Sequence, residues 1–134
     1  MATTTISTAP FADHIARFRV ADLALDTFPY GSHTTASEAL WAGCPIVTRV
    51  GDTFASRVAG SLLRAAGCPG LITTSAAEFR ERAIALGNNP SQITALRKQL
   101  EQSRDSCSLF DTPRFARDLE AAYETMLSAV PSRK

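Results

Sequence analysis

The stretch Asp26-Thr-Phe-Pro-Tyr-Gly-Ser-His33-Thr34-Thr35-Ala-Ser-Glu38 constrains the fold more than any other, because a short apolar run ends there and a helix begins. Residues 22 to 26, Asp-Leu-Ala-Leu-Asp, are mostly apolar and bounded by turn chemistry, the pattern of a buried strand. Pro29 and Gly31 interrupt that pattern. Thr35-Ala-Ser-Glu38 then has the form of a capping box, in which a hydroxyl accepts from a helix N–H and the following carboxylate reaches back. A strand, a glycine-containing turn and a helix start, in that order, aim free N–H donors and the positive helix end at the C-terminal edge of a sheet. Open α/β sheets hold phosphate-bearing ligands there.

The remaining chain repeats the alternation. A helix over residues 35 to 42 stops at Gly43, with Pro45 just beyond. Residues 45 to 50, Pro-Ile-Val-Thr-Arg-Val, read as a second strand. After a turn at Gly51-Asp-Thr53, residues 55 to 66 suit a helix with Val58, Leu62 and Ala65 as its inner stripe and Gly67 as its stop. A third strand lies within residues 68 to 74, behind a Pro-Gly turn. Ser75-Ala-Ala-Glu78 is a second capping box and opens a helix to about Leu86 with Phe79, Ala83 and Leu86 inward. Residues 90 to 103 form an amphipathic helix with Ile93, Leu96 and Leu100 buried and Arg97, Lys98, Gln99 and Glu101 outward. Thr112 as N-cap and Pro113 at the first helical position start a last helix to about Ala129, with Phe115, Leu119, Ala122, Tyr123 and Met126 as its apolar side.

At the start, residues 1 to 9 read as a flexible lead-in, residues 10 to 129 as the folded unit and residues 130 to 134 as a fraying tail. Between residues 11 and 20 the spacing of Phe11, Ile15 and Phe18 suits a short amphipathic helix that carries His14 and Arg17 on another side. That pair shares one face, either as solvated polar groups or as two groups acting together on a ligand.

Composition excludes several function classes. With 134 residues, 45% hydrophobic and 20% charged, the chain makes one soluble domain with a real core. A net charge of +1 without a dense basic block predicts no nucleic-acid partner and no membrane surface. Its apolar runs stop well short of the roughly 20 residues that a span needs. The hydroxyl-rich N-terminus lacks the basic start and apolar core of a secretory signal, so a cytoplasmic location is expected. Cys44, Cys68 and Cys107 contain no Cys-x-x-Cys pair and read as small buried hydrophobes. His14 and His33 lack ligand-spaced neighbours, so no metal site is expected.

The fold class is α/β, with a parallel sheet and helical crossovers. Only three short strands are credible, whereas a doubly wound domain usually has about six in two facing halves. The sequence therefore reads as the C-terminal half of such a lobe. The strand at residues 22 to 26 is then an open edge, through which self-association by strand pairing is an expected outcome.

Several segments carry a family resemblance. Ala21-Asp-Leu-Ala-Leu-Asp-Thr27, Gly31-Ser-His-Thr-Thr35, Leu40-Trp-Ala-Gly43, Pro45-Ile-Val-Thr48, Gly51-Asp-Thr-Phe-Ala-Ser-Arg-Val-Ala59 and Ser108-Leu-Phe-Asp-Thr112 resemble the C-terminal catalytic region of the O-linked N-acetylglucosamine transferases. This is glycosyltransferase family 41, which includes the SPINDLY-type proteins. The resemblance runs from about Pro10 to Met126. It implies part of a Rossmann-like lobe of a GT-B enzyme, usually attached to tetratricopeptide repeats, that holds the nucleotide of a sugar donor. UDP-N-acetylglucosamine is the implied donor, and no other cofactor is implied. A protein acceptor would bind through regions outside this chain. The SPINDLY-type alternative is transfer of fucose from GDP-fucose, and a further alternative is a non-catalytic binding or oligomerisation module.

The resemblance also implies roles residue by residue. Thr34 and Thr35 match positions that hold the donor diphosphate, and Glu38 matches a carboxylate, often Asp, that receives the ribose hydroxyls. His14 and Arg17 match residues beside the base, and Ala9 a backbone contact to it. His33 shapes the turn rather than acting as a base. No catalytic residue is assigned. Phe11 stands where the familiar enzymes have a lysine, so one cationic contact is missing. A further phosphate-binding lysine belongs to the half-lobe absent from this sequence, which implies that the chain alone is inactive.

Overall fold

The structure is a computed structural model that describes residues 10–129. The lead-in at residues 1–9, with Ala9, and the tail at 130–134 lie outside the described residues. Helix α1 (Phe11–Arg17) leads to strand β1 (Ala24–Leu25), helix α2 (Thr34–Trp41), strand β2 (Ile46–Arg49) and helix α3 (Val58–Ala65). A single 3-10 turn at Pro69–Leu71 precedes strand β3 (Ile72–Thr73), and helices α4 (Ala76–Gly87), α5 (Pro90–Ser103) and α6 (Thr112–Ser128) complete the chain.

The three strands pair in parallel in the order β1-β2-β3. Ala24 faces Ile46 and Leu25 faces Val47 across one ladder, while Thr48 faces Ile72 and Arg49 faces Thr73 across the other. This is the half-lobe expected from the alternation, and β1 lies at one edge of the sheet. β1 is shorter than residues 22 to 26 because Asp22 is exposed and Asp26 turns its carboxylate to the following loop, although its N–H still donates to the Val47 carbonyl at 3.0 Å.

Packing centres on β2, which contacts α2, α3 and α4. Val47 and Thr48 are fully buried, as are Leu40 of α2, Leu63 of α3, Leu71 and Leu86 of α4. Each such leucine contributes about 2 kcal/mol through burial. Ile93 and Leu100 of α5 join the same cluster, with Leu96 and Phe79 packed against it.

Helices α2 and α3 end alike. After Trp41, Gly43 turns left-handed at φ 80° and its N–H bonds the Leu40 carbonyl, while Cys44 N–H bonds that of Ala39. After Ala65, Gly67 at φ 77° does the same, with bonds from Gly67 to Arg64 and from Cys68 to Leu63. These are Schellman ends, which deliver each chain directly into the next buried segment.

Several expectations need correction. Helix α3 begins at Val58, not residue 55, because Thr53 and Ser56 hydrogen-bond one another in a tight turn. Its buried stripe is Ala59, Gly60 and Leu63, whereas Val58, Leu62 and Ala65 are half-buried. Arg97 and Gln99 do not simply face water. Arg97 Nη2 donates to the carbonyls of Arg19 and Ala21, and Gln99 Nε2 donates to that of Gly67, so both tie α5 to loops. Asp111, not Thr112, caps α6, accepting from Arg114 N–H at 3.0 Å. α6 buries nothing among the described residues, and Phe115, Tyr123 and Met126 of its apolar side are exposed. α1 likewise buries no residue, and Cys107 is only half-buried.

Candidate functional site

The C-terminal ends of β1 and β2 open onto the turn at residues 26–33. Asp26 organises it. Although 9% exposed, its carboxylate accepts through Oδ1 from the N–H groups of Thr27 and Ser32, at 2.9 and 2.7 Å, and through Oδ2 from the Thr48 hydroxyl at 2.6 Å. Thr48 is the cross-strand neighbour one step beyond the Leu25–Val47 pair. The buried charge is therefore met by donors on both oxygens, which is what allows it inside the protein. Gly31 sits so close that an added Cβ would lie 3.1 Å from both Asp26 Oδ2 and the Ala55 carbonyl oxygen. Thr27 Oγ1 donates to the Tyr30 carbonyl at 2.6 Å, closing the turn, and the Phe28–Pro29 peptide is cis.

The turn ends on His33, which is the N-cap of α2 by backbone position but supplies no side-chain cap. Its ring stacks on Tyr30 at 5.3 Å, meets Phe54 edge-on at 6.0 Å and brings Nε2 to 3.4 Å from the Ala55 carbonyl. The side chain is thus occupied in tying two loops together. Thr34 and Thr35 follow as the first two helical residues, both exposed, with no acidic residue in that turn. First-turn N–H groups have no partner within their own helix, and among the described residues no side chain caps them. Two hydroxyls, free N–H donors and the positive end of the α2 dipole form a surface suited to an anion.

The capping box expected from Thr35 and Glu38 does not form. The N-cap position falls at His33, two residues before Thr35, so Thr35 lies inside the first turn and Glu38 falls beyond the position from which a carboxylate can reach back. Glu38 instead crosses to α1, where its Oε2 lies 3.1 Å from His14 Nε2. His14 is also packed edge-on against Phe18 at 5.4 Å. The structure therefore brings Thr34, Thr35, Glu38 and His14 together along one side of α2. Arg17, on α1, is exposed. Ala9 lies outside the described residues. The second box does form in altered shape: Ser75 accepts from Glu78 N–H, while Glu78 Oε2 accepts from the N–H and hydroxyl of Thr74.

Sequence reasoning missed Asp26 as the centre of the turn, although a carboxylate ending an apolar strand beside a hydroxyl on the next strand is the signal for it. It also missed Arg49, whose guanidinium lies 4.0 Å over the Phe28 ring, and the Tyr30, His33 and Phe54 cluster. No local pattern announces those contacts, because each joins separate loops. No group of three or more His, Cys, Asp or Glu suited to a metal occurs among the described residues. No helix among them is long and apolar enough to cross a membrane.

This arrangement has known counterparts. A probable UDP-N-acetylglucosamine–peptide N-acetylglucosaminyltransferase SEC from Arabidopsis thaliana is 43% identical over 116 residues, 86% of this chain. The corresponding probable SPINDLY protein from Solanum lycopersicum is 35% identical over 85% of this chain. The chain spans 12% of the length of each of these relatives. Among solved structures, a Thermobaculum terrenum O-GlcNAc transferase mutant superposes with a TM-score of 0.83 at 39% identity, covering 90% of this chain and 23% of that one. The sheet and helices described above are therefore those of a GT-B-like Rossmann lobe. Residues 3–119 match the sequence model of Glycosyl transferase family 41. With its turn, its α2 start and its sheet order in place, the chain belongs to glycosyl transferase family 41.

Proposed function

We propose that this chain is the donor-holding wall of an inverting protein O-glycosyltransferase that uses UDP-N-acetylglucosamine. The observation that carries the reading is the uncapped start of α2, with Thr34 and Thr35 exposed and Glu38 held against His14 on the same side. In this reading the diphosphate takes the first-turn N–H groups and the two hydroxyls. Glu38 accepts from the ribose hydroxyls through the oxygen that His14 leaves free. His14 and Arg17, with the backbone of Ala9, flank the base, and His33 fixes the turn that aims the threonines.

As the sugar leaves, negative charge builds on the diphosphate. N–H donors and a helix dipole already pointed at it stabilise that charge without reorganisation. The acceptor site, the group that removes the acceptor proton and a further phosphate-binding lysine lie in protein outside this chain, so the chain alone binds donor without transferring sugar. Among the described residues β1 is the outer strand, and its outer edge is where another segment or a second copy would pair.

Five of the relatives carry the name SPINDLY, and the GDP-fucose donor that the resemblance to SPINDLY-type proteins implies is the second reading. Calorimetric or NMR titration of the chain with UDP, GDP, UDP-N-acetylglucosamine and GDP-fucose decides between them. Preference for the uridine ligands, lost in Thr35→Ala, supports the first reading. Preference for the guanosine ligands overturns it in favour of the second, and binding of none of them overturns both.

A further inference from the structure

Beside Glu38 lies an open recess of about 300 Å³ lined by Phe11, Ile15, Ser37, Glu38, Trp41 and Phe110. Its walls are apolar and largely aromatic. Phe11 is 71% exposed and Trp41 41%, so two large rings stand in water at its rim. Trp41 is held by Phe110, edge-on at 4.9 Å, and by the Arg104 guanidinium at 5.2 Å from its ring. Glu38 is the one ionisable residue among the six, and its Oε2 already faces His14. A recess with no cation and one carboxylate repels a phosphate but suits a flat ring bearing hydroxyl donors.

Its position selects the ligand. Along α2, Glu38 is about 6 Å and Trp41 about 10.5 Å from Thr34 at 1.5 Å per residue. With the diphosphate at Thr34 and the ribose at Glu38, as proposed above, the recess reached next along α2, at Trp41, falls to the base. Phe11 and Ile15 of α1 both line the recess, and His14, on the same face by its spacing and not on another side as the sequence pattern suggested, meets Glu38 at the margin. We infer that Phe11 is a specificity-determining residue that grips the donor nucleoside by ring stacking, with Trp41 as the opposite wall and Glu38 on the ribose hydroxyls. This deepens the reading under Proposed function and rests on it. Where the family resemblance places a lysine, this chain replaces a salt-sensitive charge contact with an aromatic one, so binding of the nucleoside alone becomes a measurable part of affinity.

Trp41 is the single tryptophan of the chain and reports on the recess directly. The test titrates the full chain with uridine and with UDP at low and high salt, following Trp41 fluorescence and backbone amide shifts. Wild type, Phe11→Ala, Phe11→Leu and Phe11→Lys are compared. Uridine is expected to quench Trp41 with little salt dependence, and to bind about fivefold more weakly to Phe11→Ala and Phe11→Leu, the value of one aromatic contact. Phe11→Lys is expected to lose uridine binding similarly while UDP binding becomes more salt-sensitive than in wild type. Phe11→Leu keeps the apolar bulk and carries the test if the alanine variant is perturbed. Equal uridine affinity in wild type and these variants overturns the inference. So does UDP binding at Thr34 and Thr35 accompanied by uridine that leaves Trp41 unchanged, a result that spares the donor-site reading. Absence of any UDP response overturns that reading and this inference together.

Discussion

Glu38 Oε2 and His14 Nε2 meet at 3.1 Å, joining the first helix to the second beside the recess proposed to take the donor's nucleoside. Each side chain holds the other in place, so their contributions to binding are coupled. Glu38→Ala and His14→Ala are each expected to weaken UDP binding about tenfold, equivalent to roughly 1.4 kcal/mol. The double variant should lose less than the sum of the two. Calorimetric titration of the four proteins measures this, and strictly additive losses would show that the contact does not position either residue.

Asp26 supports the turn from beneath. Its carboxylate accepts two part-buried backbone N–H groups and the buried Thr48 hydroxyl, and removal leaves all three donors without that acceptor. Asp26→Ala is expected to cost about 3 kcal/mol, given that hydrogen bonds to charged groups are worth about 1.5–3 kcal/mol each and are not additive. Thr48→Val, which removes one donor and keeps the volume, should cost about 1 kcal/mol. Urea unfolding monitored by circular dichroism reads both.

Gly67 ends α3 at φ 77°, where an L side chain is strained. Gly67→Ala is expected to destabilise the chain by about 1–2 kcal/mol. The effect is read as a lowered thermal midpoint, and an unchanged midpoint would argue that the Schellman end is not formed in solution.

Much of this architecture was legible in the sequence, and for identifiable reasons. Gly43 and Gly67 mark the ends of α2 and α3 because left-handed backbone leaves little choice of residue, and Ser75 marks α4 through its side-chain cap. α5 keeps the expected bounds because Asn89 and Pro90 fix its start and Ile93 and Leu100 face the core. The start of α2 was misread by one residue. Thr35 and Glu38 satisfy a local rule, but His33 and the Asp26-centred turn set the helix register from outside the segment. Glu38 was then free to reach His14, a contact between residues too far apart in sequence for any local pattern to show. The recess beside Phe11 was illegible for the same reason, since α1, α2 and Phe110 come together only in the folded chain.

Glu78 gives a prediction about pH. Its carboxylate is held below the ordinary glutamate range chiefly by the backbone N–H of Thr74, together with the Thr74 hydroxyl. A lowered folded value means that the contribution to stability is complete above the ordinary range and is lost as pH falls through the folded value. Carboxyl NMR titration should place the Glu78 midpoint below the ordinary glutamate range, and Glu78→Gln should remove its part of the acid-side slope of stability.

Burial pushes the Cys44 and Cys68 thiols up, so both stay protonated at neutral pH and shielded. Cys107 is half-buried. Iodoacetamide labelling followed by peptide mass spectrometry should therefore modify Cys107 first, with Cys44 and Cys68 reacting only as the protein unfolds.

In the reading proposed above, the start of α2 holds the donor diphosphate. Amide-resolved NMR titration of the chain with UDP tests it most directly. Saturable shifts centred on Thr34, Thr35 and Ala36, extending to Glu38 and abolished by Thr34→Ala combined with Thr35→Ala in a still folded chain, are the predicted result. Saturable shifts centred elsewhere, or unchanged binding in the double variant, would contradict it.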